Sequence, residues 1–223
     1  TQAVGARRQF LLPLALLQQM QRALLELGLR DGALQKIGGT GIQRGDATFA
    51  ILMGGDDEII LRGESGEIDR VEYDRDWTFT PGTSLSLSAD FYGSTTNDAR
   101  DKWCDSVSEF STGSMVSPGV WNPACDGGAA NSPEGGADEG PRSPGAGDLV
   151  ITEIMAESAG MDSWCEWFEL TNISDDTLEL GGLTLHDLGR NEVAFPEFMI
   201  APFEAIVIGR SDEEENNCGT PVD

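Results

Sequence analysis

The sequence predicts an all-β chain, an antiparallel β-sandwich preceded by one N-terminal helix. Three observations carry that expectation. After residue 45 the apolar residues fall in short runs, several alternating with period two, and Gly, Asp, Asn and Ser clusters separate them. No later stretch has helical apolar spacing, and 28 Gly and ten Pro in 223 residues supply many turns. An apolar fraction of 39% is enough for a core but too low for a membrane protein, and no run approaches the ~20 apolar residues of a bilayer span.

Residues 1–45 stand apart. They carry Arg7, Arg8, Arg22, Arg30, Lys36 and Arg44 against Glu26 and Asp31, so this segment is +4 while the whole chain is −25 and the remainder −29. Leu14, Leu16, Leu17, Met20, Leu24, Leu25 and Leu27 recur at i, i+3, i+4 spacing and predict an amphipathic helix over about 13–29. Pro13 suits its first turn and Gly28 its end. Arg7-Arg8-Gln9-Phe10-Leu11-Leu12 resembles the start of a twin-arginine export signal, but the apolar run before Gln18 is short and no small-x-small cleavage site follows. A packed helix or a leader is the expectation. Gly38-Gly39-Thr40-Gly41 lacks the Lys-Ser/Thr of a phosphate loop and reads as a hinge. Arg44-Gly45-Asp46 matches an integrin-type tripeptide, a match that chance explains better.

Two strand-rich blocks follow, 46–125 and 148–223, joined by 126–147. The joining segment has no large apolar residue to offset its ordering entropy and is expected to be a flexible linker. In the first block Phe49–Met53, Glu58–Leu61, Ile68–Tyr73 and Ser84–Leu87 are predicted strands, with Gly54-Gly55-Asp56-Asp57 a tight connection. In the second, the strands are Leu149–Met155, Cys165–Asn172, Leu183–Asp187 and Ala205–Gly209. Glu166, Phe168 and Leu170 alternate with Trp167, Glu169 and Thr171, the period of a half-buried strand. Asn172–Asp176 and Gly181-Gly182 are turn chemistry.

The motifs of the second block are Gly147-Asp-Leu-Val-Ile-Thr-Glu-Ile-Met155, then Glu166-Trp-Phe-Glu-Leu-Thr-Asn172, then Leu180-Gly-Gly-Leu-Thr-Leu185. In order and spacing they resemble the opening half of a lamin-tail domain, with Leu183 where that family often has Trp. The first block resembles the closing half. It runs through Asp56–Leu61, Ile68–Tyr73, Gly82-Thr83-Ser84-Leu85, Asn97 and Trp103-Cys104 to Ser117-Pro118-Gly119-Val120-Trp121-Asn122, with Ser117 in place of the family's Thr. The resemblance covers about two-thirds of the chain and implies an immunoglobulin-like sandwich of lamin-tail type. The order is reversed, closing half first. Two arrangements fit this order: a slice of a tandem array cut within both repeats, or one circularly permuted sandwich. The second is structurally favoured, because each half alone exposes an apolar face and open edges that the other would cover. A 22-residue linker reaches at most roughly 70 Å, enough to join them.

The four cysteines fall two per block, without a Cys-x-x-Cys pair, so a zinc site is not expected. Even number, wide spacing, high acidity and few Lys point to disulfides and an oxidising compartment, most economically Cys104–Cys125 and Cys165–Cys218. Free buried thiols are the alternative. His186-Asp187 is the only His–acid pair, lacks a placed Ser or Cys nucleophile, and reads as a strand end. Glu166 and Glu169, three apart on a strand, face opposite sides and cannot work as an acid–base pair. Glu153 and Glu166, beside apolar strand residues, read as strand-pairing or capping groups. Asp212-Glu213-Glu214-Glu215-Asn216 and Asp175-Asp176 could attract Ca²⁺ but lack EF-hand spacing, so solvated acidic loops are the default.

No catalytic residue, metal site or cofactor is therefore expected. The resemblance to bacterial lamin-tail modules implies a secreted or cell-surface structural or protein-interaction module. Nuclear lamin tails bind proteins and sometimes DNA. A remainder at −29 repels phosphate backbones and argues against carrying the DNA function over. The alternatives are an accessory domain of a secreted nuclease or phosphatase whose catalytic part lies elsewhere, and calcium-dependent adhesion.

Overall fold

The computed structural model describes residues 56–111, 114–129, 133, 140–158, 165–187, 192–209, 217 and 220–223. The expected N-terminal helix and leader, the Gly38–Gly41 hinge, Arg44-Gly45-Asp46, the strand Phe49–Met53 and the acidic run 212–216 lie outside these residues.

The described part is all β, with two short 3₁₀ turns at Ala89–Phe91 and Arg100–Lys102. The first block gives β1 (Asp57–Gly63), β2 (Gly66–Tyr73), β3 (Leu85–Leu87), β4 (Trp103–Asp105), β5 (Glu109–Ser111) and β6 (Ser114–Met115). The second gives β7 (Leu149–Met155), β8 (Trp167–Asn172), β9 (Leu178–Glu179), β10 (Thr184–His186), β11 (Glu192–Ala194), β12 (Met199–Ile200) and β13 (Ala205–Gly209). β1 and β2 form a hairpin at Glu64-Ser65, where Gly66 takes the left-handed φ of 122° that closes so short a turn.

Both large sheets are antiparallel and mix the blocks. The four-stranded sheet runs β11-β10-β1-β2 and the five-stranded sheet β13-β8-β7-β3-β4. The joints are β1 on β10, with Leu61 opposite Leu185, and β3 on β7, with Ser86 opposite Glu153. The described residues all fall in one compact unit. The sheets face each other as a sandwich, as the short alternating strands predict, and it is immunoglobulin-like, as the resemblance implies. Its core takes Ile59, Leu61, Ile68 and Val71 from the first block and Leu149, Ile151, Phe168, Leu170, Ile206 and Ile208 from the second. Burial of this kind stabilises by roughly 25 cal/mol per Å² of apolar surface. Neither block has that partner surface by itself.

Two expectations change. β8 is not half-buried, since all six of its residues are buried. Its Phe168 face fills the sandwich core. Its Trp167 face is covered by a second cluster, in which Val116 of the first block and Val207 and Val222 pack on Trp167 and Met155. The segment 126–147 is anchored near its end. Arg142 grips Asp148 at 2.6 Å and Asp176 at 2.6 Å, and Gly147 N–H donates to Ile68 O at 3.1 Å.

Candidate functional site

The chemistry-bearing side chains gather where the two blocks meet. β7 pairs with β3 only at Ile154 and Glu153, so its first half has an open edge. Three side chains of the first block close it. The Asp69 carboxylate accepts from Ile151 N–H at 2.7 Å, Asn97 Nδ2 donates to Asp69 at 2.8 Å and to Ile151 O at 3.4 Å, and Asn122 Nδ2 donates to Thr152 O at 2.8 Å. Trp103 Nε1 holds the Asn97 carbonyl at 2.7 Å. Buried strand edges need partners of this kind, because each orphaned backbone group costs about 1–3 kcal/mol.

A β-bulge between Ile151 and Glu153 sets the rest. It places Thr152 and Glu153 together on the outer face of the sheet, and Glu153 lies directly across from Glu169 of β8. Thr152, Glu153, Glu169 and Thr171 are all fully buried. Glu153 Oε1 accepts from the Ser84 hydroxyl and from Ser117 N–H at 2.9 Å, and its Oε2 lies 2.8 Å from Ser117 Oγ. Ser117 Oγ in turn lies 2.7 Å from Asn122 Oδ1. Glu169 accepts from Thr152 Oγ1 at 2.6 Å and from Gly119 N–H at 2.8 Å. Gly119 has φ of 75°, the left-handed turn that aims its N–H at the carboxylate.

Burial pushes both glutamates above the usual carboxylate range. The Glu153 charge raises Glu169 further, while the serine donors pull Glu153 partly back. Burial also raises Asp69 to about 7, against the pull of Ile151 N–H and Asn97.

Above this seam lies an aromatic group drawn from both blocks. Tyr92 stacks on Trp121 with centroids 4.5 Å apart, and Phe203 lies 6.3 Å from Trp121. Tyr92 Oη accepts from Asn122 N–H at 2.9 Å, and Trp121 Nε1 donates to Phe203 O at 2.8 Å. Phe203 is held at φ of 58°, strained for a bulky side chain. Neighbouring Val120 is 57% exposed.

The other predicted positions fall away from the seam. Cys104 and Cys125 are bridged with Cα atoms 5.8 Å apart, tying β4 to the chain beyond Asn122. Cys165 is buried, and Cys218 lies outside the described residues. His186 Nε2 is 2.9 Å from Thr184 Oγ1, a neighbour two residues away on the same strand face. Glu166 sits just before β8 and is partly exposed, away from the Glu153–Glu169 pair. Asp176 is already taken by Arg142. Among the described residues, no group of three or more His, Cys, Asp or Glu could hold a metal ion, and no helix is long and apolar enough to cross a membrane.

In the sequence Ser117, Asn97 and Asn122 stand as motif residues with no visible role, and nothing there pairs Glu153 with Glu169. The bulge that makes this pairing has no Gly or Pro to mark it. No curated protein and no solved structure matches the chain. Residues 142–221, which hold the bulged β7 and the buried β8 that carry the seam and all of the second block but its last two residues, match the family model described as Lamin Tail Domain.

Proposed function

We propose that the chain is a non-catalytic structural or protein-interaction module of lamin-tail type, acting outside the cytoplasm. The observation that carries this reading is the family match over 142–221, together with the state of the polar residues beside it. Asp69, Ser117, Asn122, Glu153 and Glu169 are buried, and their hydrogen bonds serve strand edges and each other. They hold the blocks together rather than facing a substrate.

The first block completes the second. Its β1 to β4 supply the sheet positions beside β10 and β7, which supports a sandwich assembled in reversed chain order, with 46–125 as the closing half and 148–223 as the opening half. The Cys104–Cys125 bridge favours an oxidising compartment, and Cys165–Cys218 is proposed as the second bridge. The interaction face we assign is the Tyr92, Val120, Trp121 and Phe203 group, which combines partly exposed aromatic surface with backbone strain.

A photoreactive residue at position 120, compared with one at exposed Glu64, tests the reading on intact cells displaying the protein. A discrete protein adduct from position 120 alone supports it. Equal labelling from both positions, or none from either, overturns it.

A further inference from the structure

We propose that the Glu153–Glu169 pair carries one proton at neutral pH, and that this proton locks the seam between the two chain blocks. The geometry carries the assignment. Two glutamates sit directly across adjacent strands, fully buried, where like charges repel most. No ion pair involving either one occurs among the described residues. Among the described residues, the titratable groups that face them are Tyr92, which is neutral, and Asp223 beside β13, whose charge also acts against Glu169. A cation is replaced here by hydroxyls and backbone N–H groups.

The count of donors and acceptors around Ser117 says which oxygen holds the proton. Ser117 has one hydroxyl hydrogen but two oxygen neighbours, Glu153 Oε2 at 2.8 Å and Asn122 Oδ1 at 2.7 Å. Asn122 cannot turn its amide to help, because its Nδ2 is committed to Thr152 O at 2.8 Å. Both contacts become hydrogen bonds if Glu153 Oε2 is protonated. Glu153 Oε2–H then donates to Ser117 Oγ, and Ser117 Oγ–H donates to Asn122 Oδ1. Glu169, with Thr152 and Gly119 as donors, keeps the negative charge. The pair titrates as a unit, one proton between two carboxylates.

Loss of that proton to solvent has two effects at one place. Ser117 can then serve only one of its two acceptors, and two charges face each other across β7 and β8. The bonds affected join the blocks: Ser84, Ser117, Gly119 and Asn122 come from the first, and Thr152, Glu153 and Glu169 from the second. The sign follows from linkage. The folded seam binds the proton more tightly than the unfolded chain does. Its contribution is fully present below the ordinary glutamate range and is lost as pH rises through the folded value, tenfold in the folding constant per pH unit.

The test is Glu153→Gln, whose Nε2 donates where Oε2–H does and whose Oε1 keeps its acceptor role. Folding constants from urea titration are compared with wild type from pH 5 to pH 9. The ratio should move toward the variant by about tenfold per pH unit until the pair has lost its proton. A ratio constant across that range overturns the proposal. Should the variant fail to fold, the wild-type chain labelled with isotope at its glutamate side-chain carboxyls decides. An isotope-shifted carboxylic-acid band in the infrared spectrum at pH 7 supports the proposal, and carboxylate bands alone overturn it.

Discussion

Asp69→Asn isolates one of the seam's strand-edge contacts. Asp69 is 2% exposed, and its Oδ2 takes both Ile151 N–H and Asn97 Nδ2 while its Oδ1 has no hydrogen-bond partner. Burial raises its carboxyl to about 7. A carboxyl raised on folding contributes stability that is fully present below its unfolded value of about 3.9 and fades as pH climbs to the folded one. The window is about three pH units, so the wild-type chain loses roughly 4 kcal/mol through Asp69 alone, about 3 kcal/mol of it between pH 5 and pH 8. Asparagine keeps an oxygen for Ile151 and Asn97 and removes the titration. Urea unfolding of both proteins at pH 5, 6.5 and 8 should therefore show the stability difference moving toward Asn by about 3 kcal/mol across the series. A constant offset enters at every pH and does not affect the slope. A difference that stays flat, or moves toward wild type, would refute the assignment of a raised carboxyl at Asp69.

Three further outcomes are expected. Replacing Cys104 and Cys125 together by Ala releases a loop with a sequence separation of 21, and unfolding free energy should fall by about 3 kcal/mol, read from denaturant midpoints without reductant. Asn122→Ala leaves Thr152 O and the Ser117 hydroxyl short of partners inside the seam; a loss of about 2–3 kcal/mol with an unchanged denaturant slope is expected. Trp167→Ala empties the second cluster beneath Val116 and Val222, at about 3–5 kcal/mol in the same assay.

The strands that can be read from the sequence are those set in an apolar run between turn residues, including three-residue β3 and β10, which lie inside the predicted Ser84–Leu87 and Leu183–Asp187. Leu149–Met155 and Ala205–Gly209 fall where the apolar runs place them, and β1, β2 and β8 within a few residues. β9 and β12 have two residues each and β4 and β11 three, and none of them lies inside a predicted strand. Their positions come from tertiary pairing. The error at β8 has a different origin. Glu169 and Thr171 look like a solvent-facing stripe because they are polar, yet the 116–122 segment covers them with Ser117, Gly119 and Asn122. Alternation reports polarity, and polarity implies exposure only when nothing polar is folded on top. The bulge at Thr152 then shifts Glu153 by half a period relative to strict alternation, so the Glu153–Glu169 pairing appears only once the register is known. The disulfide Cys104–Cys125 was legible because two cysteines in one block leave little choice of partner.

Charge and burial pull this fold the same way along the pH axis. Outside the first 45 residues the chain is at −29, and self-repulsion of that size opposes compactness most when every carboxylate is ionised. Asp69 and the Glu153–Glu169 pair add a local version of the same preference, since each is more comfortable protonated inside the sandwich than ionised. The opposing contribution comes from ion pairs that acid would break. Those among the described residues are mostly half-exposed, as with Arg62–Glu67 and Arg75–Asp56, and such pairs contribute at most about 1 kcal/mol each. The Arg142 pairs with Asp148 and Asp176 are better shielded, but they anchor one corner only. The carboxyls that burial pushes furthest toward protonation lie in the seam, while most of the ion pairs that acid would break lie nearer the surface. Mild acid should therefore tighten the seam rather than open it, and a Cys104–Cys125 disulfide that holds irrespective of pH suits a chain whose main seam is held by a proton.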